Sequence, residues 1–112
     1  MDFEAKIAKL GLLIPKPAKP AGSYKPCVIV DNIAYISGQG PLLEDGSFAK
    51  GKVGADVDLE TAQNHARLCG LAILSALKNE IGSINKVDQL IKLTGFVNCI
   101  ESFTQDGSRP RR

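Results

Sequence analysis

The chain has 112 residues, 44% of them hydrophobic, which is enough for one domain with a modest core. Residues 1–105 carry equal numbers of basic and acidic side chains, so the net charge of +2 lies in the last seven residues and a basic nucleic-acid-binding face on the fold is disfavoured. No apolar run is long enough to cross a bilayer. The three cysteines include no Cys-x-x-Cys pair, which indicates a cytoplasmic protein with no zinc site and no disulfide framework.

The first 22 residues are predicted to form a short helix and a proline-rich linker. Phe3, Ile7 and Leu10 have the spacing of one helical face, and Gly11 is suited to end that helix. Residues 14–20 then contain three prolines, which cannot donate hydrogen bonds to a β-ladder. An extended surface segment is therefore expected between the helix and the first strand.

A β-hairpin and a second turn are predicted next. Two apolar, β-branched runs, 27–30 and 33–37, are separated by the Asp-Asn pair at 31–32, and such residues favour two-residue hairpin loops. The Asp-Gly pair within residues 44–47 is typical of another tight turn, and residues 48–54 are expected to add a short strand.

A long helix followed by a strand completes the predicted order. Apolar residues recur with a period near 3.6 between Leu59 and Glu80, Asp58 offers an N-cap carboxylate, and Gly82 is suited to end the helix. Residues 87–100 alternate between two faces, which predicts a longer strand. The order hairpin, strand, helix, strand predicts an α+β fold in which a helix covers one face of a mixed sheet.

The sequence Ser-Gly-Gln-Gly-Pro at 37–41 is the candidate functional motif. It is not a dinucleotide fingerprint, because Leu43 occupies the position of the third glycine and a turn follows instead of a helix. The spacing alone leaves two interpretations open: a bulge leading into a proline-started turn, or a cradle of backbone N–H groups for an oxyanion or carboxylate. Cys27 and Cys69 are predicted core residues, His65 is given no role, and no metal site is predicted.

Three stretches of the chain together resemble one known family: "GSYKPCVIVDNIAYISGQGPL", "GKVGADVDLETAQNHARLC" and "VDQLIKLTGFVNC". They are similar, over about residues 3–105, to the Rid (YjgF-type) family of reactive-intermediate or enamine/imine deaminases, also called the endoribonuclease L-PSP family. This resemblance implies a chorismate-mutase-like fold, a homotrimer with ligand clefts between subunits, and hydrolysis of 2-imino acids and their enamines to 2-keto acids and ammonia. It implies no metal and no cofactor.

The resemblance also implies which residues bind the small imino or keto acid. Tyr24 matches a tyrosine that lines the family's cleft, and Gly38 matches a glycine whose backbone faces the ligand. Gln39 and Gly40 complete the same motif, and Glu101 stands where many members have an asparagine. No catalytic residue is assigned.

A single domain over residues 1–105 with a basic tail at 106–112 is predicted. Family members continue with a second helix and with strands, one of which carries an arginine that clamps the substrate. The tail of this chain contains three arginines that are not expected to replace it: Arg109, Arg111 and Arg112. We therefore expect an impaired deaminase with an uncovered sheet face and altered oligomerisation. A non-catalytic ligand-binding or assembly protein of the same fold is the alternative. The neutral body and six aromatic residues argue against an endoribonuclease.

Overall fold

The computed structural model describes residues 2–17 and 22–103. In chain order, these form helix α1 (Phe3–Lys9), strands β1 (Cys27–Val30) and β2 (Ile33–Ile36), helix α2 (Leu59–Ile81) and a short 3₁₀ helix (Ile84–Lys86). The predicted α+β class is confirmed, with one long helix packed against a two-stranded antiparallel sheet. Within the described ranges, no helix has both the length and the hydrophobicity that crossing a membrane requires. The predicted basic tail lies outside them.

The N-terminal helix forms as predicted. Asp2 caps its first turn, and Gly11 just beyond its end adopts a left-handed φ of 74°. Residues 12–17 follow without regular secondary structure, and the rest of the predicted linker is outside the described residues. The hydroxyl of Ser75 on α2 donates a 2.7 Å hydrogen bond to the carbonyl oxygen of Pro15, so this segment is held against the long helix.

The predicted hairpin is confirmed. Strands β1 and β2 pair antiparallel, with Cys27 opposite Ile36. The two loop residues, Asp31 and Asn32, have φ angles of 50° and 63°, and two consecutive left-handed residues are what a type I′ turn requires. The short polar side chains of Asp and Asn tolerate this conformation better than other side chains do.

Helix α2 also forms as predicted and ends one residue later than expected, at Ile81. The carboxylate of Asp58 accepts a 2.8 Å hydrogen bond from the N–H of Thr61, which satisfies one of the unpaired donors of the first turn. At the other end, the N–H of Gly82 donates to the carbonyl oxygen of Lys78 at 2.8 Å, and its φ of 88° turns the chain away.

The core lies between the C-terminal half of α2, the start of β1 and the 3₁₀ helix. Its buried members are Cys27, Leu77 and Ile84. Partly buried apolar side chains from the rest of the fold pack against them: Phe3, Ile7, Ile14, Ile36, Leu74, Ile81 and Val87. Three of these come from the first 14 residues, so the N-terminal segment covers part of the core although α1 contains no fully buried residue.

Two predicted strands are not formed in the described part of the chain. Residues 48–54 contribute only isolated bridge pairs. Residues 87–98 have no regular secondary structure, and the first pairing in this stretch is a single parallel bridge between Cys99 and Val53. The strand predictions were wrong because alternation along a sequence favours an extended chain but does not supply the neighbouring strand that a ladder needs.

Large apolar side chains are exposed along residues 90–97, which we call the apolar strip. Leu90 is 74% exposed, Leu93 67% and Phe96 93%. The hairpin also exposes apolar side chains, among them Tyr35. Clustered exposure of this kind is typical of surfaces that contact another molecule.

Candidate functional site

The candidate site is the segment that leaves strand β2, residues 37–41, which we call the Gly38 segment. At its start, the N–H and the hydroxyl of Ser37 both donate to the carbonyl oxygen of Pro26, at 2.9 and 3.3 Å. At its end, the carbonyl oxygen of Pro41 accepts a 3.0 Å hydrogen bond from the N–H of Ala49. Both ends of the segment are therefore fixed by the hairpin and by the following turn.

The two glycines of the segment have different surroundings. Neither adopts a left-handed backbone, and the ladder ends at Ile36, so they do not form a bulge within it. A Cβ atom at Gly40 would lie 3.0 Å from Cδ1 of the Phe48 ring, whereas a Cβ atom at Gly38 would meet nothing within 4 Å. Close packing against the ring therefore explains Gly40. Gly38 faces open space that the described residues leave empty.

The backbone between these glycines carries hydrogen-bond donors. None of the hydrogen bonds described within residues 2–17 and 22–103 uses the N–H groups of Gly38, Gln39 or Gly40 as donors. The side-chain amide of Gln39 donates instead to the carbonyl oxygen of Ser37 at 3.3 Å, a contact within the segment itself. Successive backbone N–H groups can bind an anionic oxygen where the chain turns so that they converge on it.

The other two residues expected in the site, Tyr24 and Glu101, lie outside the Gly38 segment in sequence. Tyr24 precedes β1 and is 49% exposed. Glu101 follows Ile100, whose N–H donates a 3.0 Å hydrogen bond to the carbonyl oxygen of Val53. Among the described hydrogen bonds, none joins Tyr24 to the Gly38 segment. Their part in a common site stays a prediction.

Neither of two cysteines is suited to act as a nucleophile. Burial raises the pKa of the Cys27 thiol, and burial also raises the pKa of Cys69. A raised pKa keeps the thiol protonated, and the thiolate is the reactive form. The predicted core position is confirmed for Cys27, which is buried, whereas Cys69 is only partly buried. Across residues 2–17 and 22–103, no three His, Cys, Asp or Glu side chains cluster closely enough to hold a metal ion.

A shallow groove lies elsewhere, between the N-terminal segment and α2. Its volume is about 230 Å³, and its lining comes from residues 14–17 and from three residues of α2: Ser75, Lys78 and Asn79. No local sequence pattern indicates this groove, because its two walls are some 60 positions apart in the chain. The one relevant feature was a serine within the apolar C-terminal half of α2.

Comparisons with known proteins identify similar sequences and folds. Residues 4–108 match the profile of a family described as "YjgF/chorismate_mutase-like, putative endoribonuclease". The chain is 33% identical over 101 residues to Protein TCP17 of Trypanosoma cruzi. It is similar to the crystal structure of a "putative endoribonuclease" from Shewanella oneidensis MR-1, with a TM-score of 0.74 and 30% identity. It also resembles the crystal structure of Atu1372 from Agrobacterium tumefaciens, a protein of unknown function, with a TM-score of 0.79 and 37% identity.

These matches cover most of this chain and a smaller share of each relative. The match to TCP17 includes 90% of this chain and 63% of TCP17. The match to the Shewanella protein includes 80% of this chain and 59% of that protein. The match to Atu1372 includes 93% of this chain and 62% of Atu1372. The chain thus spans about three fifths of the length of the relatives it matches.

Proposed function

Because the chain belongs to the YjgF/chorismate mutase-like family, we propose that its Gly38 segment binds the carboxylate of a small 2-imino or 2-keto acid and that the protein promotes hydrolysis of the imine to the 2-keto acid and ammonia. The deaminase part of this proposal rests on the resemblance of the sequence to the enamine and imine deaminases of this family.

The reaction needs positioning more than it needs a strong nucleophile. Water adds to the electrophilic carbon of the C=N bond, and its proton passes to the nitrogen. The hydroxyl proton of the resulting carbinolamine then passes to the amino nitrogen, and ammonia leaves as the C–N bond breaks and the C=O bond of the keto acid forms. No oxidant or reductant is consumed. Holding the substrate and the water in a productive geometry, with donors already in place, can supply much of the reduction in the barrier.

The observation that supports this proposal is the combination of open space at Gly38 with three backbone N–H groups that have no described acceptor. Neither the backbone angle of Gly38 nor crowding by the described residues requires a glycine there. A ligand that approaches the backbone closely would require one. A carboxylate fits these donors, because hydrogen bonds to an ionised acceptor are shorter and stronger than neutral ones.

Non-catalytic binding of a keto or imino acid at the same segment is the second candidate. The same N–H groups support it, and only the absence of turnover distinguishes it from the first.

Endoribonuclease activity, which is named for the family and for the Shewanella protein, is less well supported for this chain. RNA backbones are bound through clustered Lys and Arg side chains, and residues 1–105 carry no net charge. Unpaired bases are bound by stacking on aromatic rings, and the chain has six aromatic residues and no Trp.

We also propose that the apolar strip contacts other copies of the chain. The exposed side chains of Leu90, Leu93 and Phe96 would lose contact with water in such an assembly, which favours association by roughly 25 cal/mol per Å² of apolar surface buried. Light scattering after gel filtration tests this. Association that Phe96→Glu weakens and that Asp88→Asn leaves unchanged supports it, and a monomer at all concentrations contradicts it.

An activity assay with two arms tests the proposed function. An amino-acid oxidase generates 2-iminopropanoate in the cuvette, and pyruvate is followed with lactate dehydrogenase under conditions in which spontaneous hydrolysis is slow. The same preparation is incubated with single-stranded RNA. We expect faster release of pyruvate and intact RNA. Cleavage of RNA without any effect on pyruvate release would contradict the proposal, and keto-acid binding without turnover would favour the non-catalytic alternative.

A further inference from the structure

The N-terminal segment, residues 2–17, is attached to the fold in an unusual way. It covers the core through Phe3, Ile7 and Ile14, yet no residue of α1 is buried. A seven-residue helix is also too short to be stable by itself, because helix nucleation is costly and few bonds follow it. The segment therefore depends on its contacts with the rest of the protein.

One side chain makes most of the polar contacts of α1. The carboxylate of Glu4 accepts a 2.7 Å hydrogen bond from Nζ of Lys78 with one oxygen and a 2.7 Å hydrogen bond from the hydroxyl of Ser83 with the other. The N–H of Glu4 donates to Oδ1 of Asn85 at 2.9 Å. A single residue of α1 thus joins the end of α2 to the 3₁₀ helix.

The charges around Glu4 favour its ionised form. The hydrogen bond from Lys78, followed by that from Ser83, lowers the pKa of Glu4 below its ordinary value. The neighbouring charges on these elements are already engaged. Nζ of Lys86 donates to the carbonyl oxygen of Ile81 at 2.8 Å. Oε1 of Glu80 lies 3.8 Å from Nζ of Lys25. At neutral pH, Glu4 is therefore the acidic partner of Lys78.

From this geometry we propose that residues 2–17 form an N-terminal latch that can open while the rest of the fold stays intact, and that the Glu4–Lys78 pair holds it closed. The latch packs against the core cluster that contains Cys27, which is only 2% exposed and lies opposite Ile36 in the hairpin. Ile36 packs against the same core cluster and immediately precedes the Gly38 segment. Opening of the latch would uncover the Cys27 thiol and would loosen the support beneath the candidate site.

The Cys27 thiol can report this opening. In a Cys69→Ser, Cys99→Ser background, the rate of its reaction with a disulfide reagent measures how often the core becomes accessible. We expect Glu4→Gln to raise this rate several-fold, since it keeps the size of the side chain and removes its charge. Glu44→Gln, which changes an exposed glutamate far along the chain, is the matched control and should not raise it.

The pair itself is tested by exchanging its charges. Glu4→Lys and Lys78→Glu should each raise the Cys27 reaction rate, and the double variant should restore protection towards the original rate. A merely structural role for either residue would not produce this recovery. Equal rates for Glu4→Gln and Glu44→Gln, or single exchanges whose effects simply add in the double variant, would overturn the proposal.

A measurement on the unchanged sequence covers the case in which a variant fails to fold. Hydrogen exchange followed by mass spectrometry compares residues 3–14 with residues 72–81 of α2. Opening of the latch alone predicts faster exchange with lower denaturant dependence in residues 3–14 than in the helix. Exchange of both regions only by global unfolding, with the same denaturant dependence, would show that no latch opens.

Discussion

The substitution Gly38→Ala separates a binding role from a structural one. The added methyl group meets no described atom within 4 Å, and the backbone at Gly38 is not left-handed, so the fold can accept alanine without strain. Replacing glycine by alanine where the backbone permits it reduces the entropy of the unfolded chain. The free energy of unfolding should therefore stay unchanged or rise by about 0.4–1 kcal/mol.

The effect on binding should be opposite in sign. In the proposed complex, the ligand occupies the space that the methyl group would take. Forcing an additional methyl group into a packed interface costs roughly 1–3 kcal/mol, which corresponds to about 5- to 150-fold weaker binding of a keto acid such as 2-oxobutanoate. The variant should thus be as stable as the original protein or more stable, and yet bind poorly.

Two further glycines provide the controls. Gly70 lies on α2 with nothing within 4 Å of an added Cβ atom, so Gly70→Ala should stabilise the helix by roughly 1 kcal/mol and leave binding unchanged. At Gly40, the added atom would lie 3.0 Å from the Phe48 ring, so Gly40→Ala should perturb the fold as well as the site. Titration calorimetry and thermal unfolding of the three variants give the comparison. Unchanged binding by a stable Gly38→Ala variant would refute a ligand at this position.

Three other predictions concern the fold and the latch. Ile84→Ala removes a side chain that is 2% exposed and should lower the free energy of unfolding by about 2–5 kcal/mol. Leu90→Ala, at a 74% exposed position, should change it by less than about 0.5 kcal/mol. Chemical denaturation of the monomeric chain measures both values. Gly54→Ala should lower the free energy of unfolding by about 1–3 kcal/mol, because Gly54 has a φ of 92° and the new Cβ atom would lie 2.7 Å from the Ile100 side chain. A fully stable variant would show that this turn is not constrained. Since the pKa of Glu4 is lowered in the folded protein, its contribution to stability is present above its ordinary value of 4.5 and is lost as pH falls through the lower folded value. In the Cys69→Ser, Cys99→Ser background, the access of dithiodipyridine to Cys27 should therefore rise over this pH range, and Glu4→Gln in the same background should weaken the pH dependence.

Features that depend on neighbours in sequence could be predicted. The Asp-Asn pair at 31–32 identified the hairpin loop, because its residue types suit two consecutive left-handed angles. Asp58 and Gly82 marked the two ends of α2, because capping is a local interaction. The position of the Gly38 motif directly after a strand followed from the same local patterns.

Features that join distant parts of the chain could not be predicted in this way. Glu4 contacts Lys78 and Ser83, which are 74 and 79 positions away, and nothing in the composition of α1 indicated that pairing. The strand expected over 87–100 failed for the same reason, since its alternation is present but its neighbour is not among the described residues. The surroundings of Gly38 and Gly40 also differ only through Phe48, a residue brought in by the following turn.

Binding of a small carboxylate by the backbone of the Gly38 segment can be observed at the amide groups themselves. ¹⁵N-labelled protein is titrated with 2-oxobutanoate and followed through its amide NMR signals. We expect saturable shifts that are largest for the N–H groups of Gly38, Gln39 and Gly40. Saturation that leaves these three signals unmoved, or shifts that are confined to the groove lined by Lys78 and Asn79, would contradict it.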